Sequence, residues 1–322
     1  MKKAILILDY HDYPKKILEK LEKKIIIIKY NPKNQNDLKN FLIKQSKKFL
    51  IFAIVTKLGL KFDKQLISLT NNKLKYLLSP TTGLNHIETN ELKKNKVKII
   101  HLKNKKFLST ISSTAEHTWA LILAISRNLK YYDNLIFQKK KWDRGDLINF
   151  EIQDKTIGIV GYGRLGKILA RYAKAFKMKV LIFDRKKFKL PKSVTNCTLE
   201  KLFKKSDIIT INLNYEKKNE EIISSKILNK VKKNLIMINT SRGELIDQGY
   251  LFKMLKKNKI KFAGLDVLSG DSTWNKILPK KILKDLSLLK SKLIITPHVG
   301  GYSVQSVRKT REHIMNKFIK LL

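Results

Sequence analysis

With 322 residues, 43% of them hydrophobic, the chain is long enough for two domains that each bury a core, and its composition excludes disorder. Its formal charge is +43, from 69 basic and 26 acidic residues, and is carried almost wholly by lysines scattered from end to end, with no basic tail and no arginine-rich, aromatic-interleaved strip. That distribution argues against a specific nucleic-acid partner and leaves nonspecific attraction to polyanions at low salt.

The opening stretch MKKAILILDY turns polar at Asp9, too soon for a signal-peptide core, and no later apolar run approaches membrane length. A soluble cytoplasmic protein without a membrane partner is therefore expected. Up to residue 107, short apolar runs (KKAILILD, KIIIIKY, FLIFAIV, LKYLLSP, VKIIHL) alternate with amphipathic stretches, which predicts a parallel sheet wrapped by helices. The next segment, SSTAEHTWALILAISRN, offers a capping-box start at Ser113 and Glu116 and then a helix apolar on more than one face. Such a helix calls for cover from another domain or a second subunit.

A second α/β series begins near Gln153 with TIGIVG, KVLIFD, DIITINL, NLIMINTS, FAGLDV and KLIITPH, and ends at about His298. Within it lies the lone Cys197, which can form no intrachain disulfide; no Cys/His cluster suggests a metal, and none is expected. The amphipathic stretch 303–321 is expected to return to the first domain. The fold class predicted is α/β, with two Rossmann-like or flavodoxin-like domains built on parallel sheets and an active-site cleft between them. Residues 1–107, completed by 299–322, form the substrate domain, and 108–298 form a nucleotide-binding Rossmann domain.

Chemistry concentrates in the second series. In GIVGYGRLGKILARYAKAF, Gly161, Gly163 and Gly166 follow a strand and open a helix. Gly161 suits a tight turn, Gly163 lets backbone approach a pyrophosphate, and Gly166 lets helix and strand pack closely. The amides of Arg164 and Leu165 at the helix start would hold the phosphate. Asp184, ending the next strand, suits the adenosine ribose hydroxyls and favours NAD over NADP, a preference its neighbour Arg185 weakens. Further on, INTSRGELID places Arg242 after an apolar run. A guanidinium clamps a carboxylate with two parallel hydrogen bonds, which a lysine cannot do.

The helix STAEHTWALILAISRN, the segment WDRG to KVLIFDR, the strand and turn INTSRGELID, then GLDV, then ITPHVGGYS together resemble the D-isomer-specific 2-hydroxyacid dehydrogenases over nearly the whole chain. The resemblance implies reversible NAD(H)-linked interconversion of a 2-keto acid and its D-2-hydroxy acid in a homodimer. It implies that Arg242 grips the substrate carboxylate and carbonyl, and that His298 donates the proton. Asp271 stands where relatives carry the glutamate that supports this histidine, shorter by one methylene. Asp266, Thr240, Asn214 and Gly300 fall at cofactor-contacting positions, Asn214 in a stretch where the usual HxP is replaced by Asn212, Leu213 and Asn214. Thr82 and Gly83, in PTTGLNHIET, match the loop whose amides meet the substrate carboxylate. Lys57 lies near another substrate-facing loop and reads more simply as a surface lysine. Two other readings use the same scaffold: an NAD(H)-sensing, corepressor-like binding protein, and an enzyme resembling phosphonate or formate dehydrogenases.

Overall fold

The computed structural model describes residues 1–144, 148–274 and 277–322. The chain divides into two compact units. One comprises Met1–Ile111, Asp271–Leu278 and Ser303–Leu322; the other comprises Ser112–Gly270 and Pro279–Tyr302.

The first unit holds strands β1 (Lys3–Leu8), β2 (Ile26–Tyr30), β3 (Leu50–Val55), β4 (Tyr76–Ser79) and β5 (Lys98–His101), all parallel, in the order β2-β1-β3-β4-β5. Each predicted run is present as a strand. Because side chains alternate across a strand, β1 feeds two cores. Ile5 and Ile7 pack with Ile17, Leu21 and Phe318 on one face, and Leu6 and Leu8 with Leu38, Leu42 and Phe62 on the other. The last helix, Val304–Ile319, is capped by Ser303, whose hydroxyl accepts from the Ser306 amide, and buries Ile314, Met315, Phe318 and Ile319 in the first of these cores.

The second unit carries β6 (Thr156–Val160), β7 (Lys179–Phe183), β8 (Val194–Asn196), β9 (Ile208–Ile211), β10 (Leu235–Asn239), β11 (Ile260–Leu265) and β12 (Leu293–Ile295), again all parallel, in the order β12-β11-β10-β9-β6-β7-β8. Only the edge strand β8 lacks a counterpart among the predicted runs. Its three residues bury Val194 alone, too little apolar signal to mark a strand. Cross-strand partners align Phe183, Val160, Ile211, Asn239, Leu265 and Ile295 in one row. The residue after each member of that row therefore emerges at the same carboxyl edge of the sheet.

Two expectations about the long helix change. It runs from Ser113 to Ser126, so Ser112 is its N-cap, and the Ser112 hydroxyl, not that of Ser113, bonds the Glu116 carboxylate. Ser113 lies inside the first turn and donates instead to the Gly300 carbonyl at 2.9 Å. The apolar faces of the helix are also covered within the unit itself: Trp119, Leu121, Ile122 and Ile125 join one core with Ile157, Leu169 and Ile238. Covering this helix thus requires no second subunit. Among the described residues, no helix is long and apolar enough to cross a membrane.

Candidate active site

Immediately past the aligned row stand Asp184, Gly161, Asn212, Thr240, Asp266 and Thr296, one from each strand. The carboxyl edge of a parallel sheet is where such folds bind ligands, and here it gathers most of the residues singled out by motif.

Two of the three turn glycines are dictated by the protein itself. Gly161 has φ +98°, and a Cβ there would sit 2.9 Å from the Asn212 backbone; at Gly166 a Cβ would lie 2.1 Å from the Gly161 carbonyl oxygen. Gly163 differs: it is exposed, has an ordinary negative φ of −73°, and a Cβ would meet nothing within 4 Å. Neither packing nor backbone demands a glycine at this position, which fits a residue kept small for an approaching dinucleotide phosphate. The helix Arg164–Ala175 starts there, and its first-turn amides precede the Lys167 N–H to Gly163 carbonyl bond of 3.0 Å. Arg164 is half-buried, and burial lowers the pKa of its guanidinium; Leu165 packs against the unit's core. Asp184 accepts the Tyr162 amide at 2.7 Å and the Lys186 amide at 2.9 Å, which fixes its carboxylate beside the turn, while Arg185 is exposed. Asn212, whose backbone abuts Gly161, has a buried Oδ1 with no hydrogen-bond partner. Asn214 is exposed, and its carbonyl accepts from the Asn219 side chain at 2.8 Å. These residues fit a bound dinucleotide.

Asn239, fully buried at the end of β10, organises the arginine turn. Its Oδ1 accepts the Ser241 amide at 3.0 Å and its Nδ2 donates to the Arg242 carbonyl at 2.9 Å. Gly243 must be glycine, because a Cβ there would lie 2.0 Å from the Leu268 backbone. Arg242 is half-buried, and its Nη1 donates to the Ser241 carbonyl at 2.6 Å. Thr240 is buried. Since Thr118 donates its own hydroxyl to the Thr114 carbonyl, the 2.7 Å contact between Thr118 and Thr240 has Thr240 as donor.

Asp266, 1% exposed, does the same for the histidine turn. Its carbonyl accepts the His298 amide at 2.8 Å, Oδ1 accepts the Val299 amide at 2.8 Å and the Thr296 hydroxyl at 2.6 Å, and Oδ2 accepts the Gly300 amide at 2.8 Å. Burial would raise the pKa of this carboxyl. Hydrogen bonds from His117, Thr296 and the Gly300 and Val299 amides outweigh burial and hold the pKa below the ordinary carboxylate value. Gly300 has no room for a side chain: a Cβ would meet Asp266 Oδ2 at 2.8 Å. His298, half-buried, adopts φ +57°, a left-handed conformation that costs an L-residue about 1–2 kcal/mol and persists only where the surroundings impose it. Asp266 also donates its amide to the Asn239 carbonyl at 2.9 Å, so the arginine and histidine turns spring from directly bonded residues.

The remaining candidates belong to the first unit. Thr82, exposed, and Gly83 follow β4, where Thr81 bonds the Gly83 carbonyl at 2.8 Å and the Ser79 hydroxyl at 2.8 Å. Lys57 is not a surface lysine. It is 6% exposed, pairs with Asp9 at 2.6 Å and bonds the Asn31 side chain. Asp271 opens the short 3-10 turn Asp271–Thr273 and is half-buried. The motifs pass over Asn239, Thr296 and His117; for Asn239 the available signal was a polar side chain closing an otherwise apolar strand.

Comparison with known proteins bears on the same residues. Residues 119–300 match the family described as D-isomer specific 2-hydroxyacid dehydrogenase, NAD binding domain. The chain is 31% identical over 259 residues to a glyoxylate reductase of Thermococcus litoralis, covering 77% of this chain and 74% of that protein. It is 27% identical over 270 residues to a hydroxypyruvate reductase of Thermotoga maritima, covering 84% of each. The structure of a D-lactate dehydrogenase from Aquifex aeolicus complexed with NAD and lactic acid is similar at a TM-score of 0.76 and 25% identity, over 98% of this chain and 93% of that one.

Proposed function

The chain belongs to the D-isomer-specific 2-hydroxyacid dehydrogenase family and is an NAD-dependent oxidoreductase, and from that premise we propose that it reduces a small 2-keto acid, with Arg242 as substrate anchor and His298 as proton donor. The nicotinamide, when bound, supplies the hydride. The glycine turn at 161–166 and the first-turn amides of Arg164 and Leu165 would hold the pyrophosphate, with Asp184 on the adenosine ribose. Arg242, through its planar fork, grips the carboxylate and leans on the carbonyl oxygen, fixing the pose and stabilising negative charge as it develops on that oxygen. His298 delivers its proton to the same oxygen as the carbonyl carbon is reduced, giving the hydroxyl.

The observation that carries this reading is the bond between Asp266 and Asn239, which roots the histidine and arginine turns in one rigid pair. Thr82 and Gly83 as amide donors to the substrate carboxylate, and Asp271 as the carboxylate supporting His298, belong to the same proposal and rest on motif position. Relatives named for glyoxylate and hydroxypyruvate point to short 2-keto acids as substrates. A panel of glyoxylate, hydroxypyruvate, pyruvate and longer 2-keto acids with NADH and with NADPH tests the proposal. Consumption of NADH with at least one acid is expected. Tight NADH binding with no acid consumed would favour a sensor.

A homodimer forms part of the proposal, now supported by residues that follow the long helix: Leu129, Phe137, Trp142 and Ile148 are 55%, 72%, 92% and 91% exposed. Sedimentation velocity would report the dimer, and a charged residue at Phe137 would shift it toward monomer.

A further inference from the structure

Beyond the anchoring and proton-donating residues, and resting on that reading of His298, we infer that His117 is a positioning residue that holds the His298 turn in its active shape. His117 sits in the second turn of the helix Ser113–Ser126, and its Nε2 lies 2.9 Å from the Thr296 hydroxyl. The single hydrogen of that hydroxyl is committed to Asp266 Oδ1 at 2.6 Å, so the Thr296 oxygen is the acceptor and His117 Nε2 carries the proton. The same nitrogen is 3.4 Å from Asp266 Oδ1. A directed chain results: His117 donates to Thr296, Thr296 donates to Asp266, and Asp266 receives the amides of Val299 and Gly300 on either oxygen.

Thr296 precedes the left-handed His298 by two residues and Gly300 follows it by two. The long helix holds both ends: His117 takes Thr296, and Ser113 donates to the Gly300 carbonyl at 2.9 Å. Packing adds to the bonds, since a Cβ on Gly300 would stand 3.5 Å from His117 Cδ2. A left-handed residue stays so only if its neighbours over-determine it, and His117 supplies the outermost donor of the network that does this. Removing that donor leaves Thr296 without the bond that orients it, and loosens the carboxylate on which two loop amides depend.

The test compares His117→Ala with His117→Gln, whose side-chain amide can still donate to Thr296, and with Thr296→Val and the double variant His117→Ala/Thr296→Val. Hydrogen–deuterium exchange is followed at the amides of Val299 and Gly300, beside NADH affinity and turnover of whichever 2-keto acid the parent accepts. His117→Ala is expected to speed exchange at these two amides about fivefold or more and to lower kcat by a similar factor, with NADH affinity within about threefold of the parent. His117→Gln is expected to restore most of both. Because the two residues act in one chain, the double variant is expected to be no worse than the more affected single variant. Unchanged exchange in His117→Ala, equal exchange in the Ala and Gln variants, or fully additive effects in the double variant would overturn the inference. If the parent turns over no 2-keto acid, the enzymatic reading falls, while the exchange comparison still decides whether His117 sets this loop.

Discussion

Asp266 takes the backbone N–H groups of three successive residues, beginning with His298: its carbonyl receives the His298 amide at 2.8 Å, and its two carboxylate oxygens receive those of Val299 and Gly300, each at 2.8 Å. A side chain 1% exposed thus dictates the backbone path of the proposed proton donor. An aspartate at this position matches cofactor-contacting positions in the family, and the geometry gives it a second task that does not depend on the cofactor.

Replacing Asp266 with Asn keeps the size but turns one acceptor oxygen into a donor, stranding a buried amide at a cost of about 1–3 kcal/mol. The change also alters acid behaviour. Because the folded carboxyl titrates below its unfolded value of about 3.9, the unfolded chain binds more protons in that range. Its contribution to stability is therefore complete above the unfolded value and is lost as pH falls through the folded one. Urea midpoints from pH 7 to 3 are expected to decline more steeply in the parent than in Asp266→Asn. Parallel declines would contradict the assignment.

The glycine turn separates what the fold needs from what the ligand needs. Gly166→Ala places a methyl group 2.1 Å from the Gly161 carbonyl oxygen and is expected to destabilise the protein by about 1–3 kcal/mol, read by thermal melting. Gly163→Ala meets nothing within 4 Å, so its melting temperature is expected to stay within about 2 °C of the parent while NADH affinity falls about tenfold or more. Unaltered NADH affinity in Gly163→Ala would remove the phosphate from this turn.

Sequence legibility follows the range of the interaction. Runs such as AILIL and IIIIK declare buried parallel strands because nearly every residue is apolar, whereas β8 buries only Val194 and declares nothing. The glycine spacing, Arg242 and His298 are legible because their roles impose residue types at fixed local spacing. Ser112 and Ser113 are adjacent and both able to cap, so the helix start is ambiguous by one residue until Ser113 is seen bonded to Gly300. The scaffolding beneath the site is illegible for the same reason. His117 with Thr296, and Asn239 with Asp266, meet only through tertiary structure, and no local pattern marks them. Lys57 shows the converse, since a lysine in a lysine-rich chain looks superficial until its pairing with Asp9 is visible.

Arg242→Lys retains the charge and loses the planar fork. It is expected to raise KM for the 2-keto acid and lower kcat/KM by about 10–100-fold, the scale of one charge-assisted hydrogen bond of about 1.5–3 kcal/mol, with NADH affinity unchanged. Steady-state kinetics with saturating NADH would show this, and a KM equal to the parent's would move the carboxylate elsewhere.

Asp184→Ala frees the Tyr162 amide and removes the ribose acceptor. NADH affinity is expected to fall about tenfold and the ratio of NADH to NADPH efficiency to narrow, because the carboxylate that repels a 2′-phosphate is gone. A ratio left as it was would assign cofactor preference to other residues.

The proton donor is the most exposed point of the account. Stopped-flow reduction by His298→Ala, measured beside NADH titration by fluorescence, decides it. Turnover is expected to fall by about 10²–10⁴ with NADH affinity held within about threefold. Turnover equal to the parent's, or NADH affinity lost in step with turnover, would contradict a histidine that donates the proton from this loop.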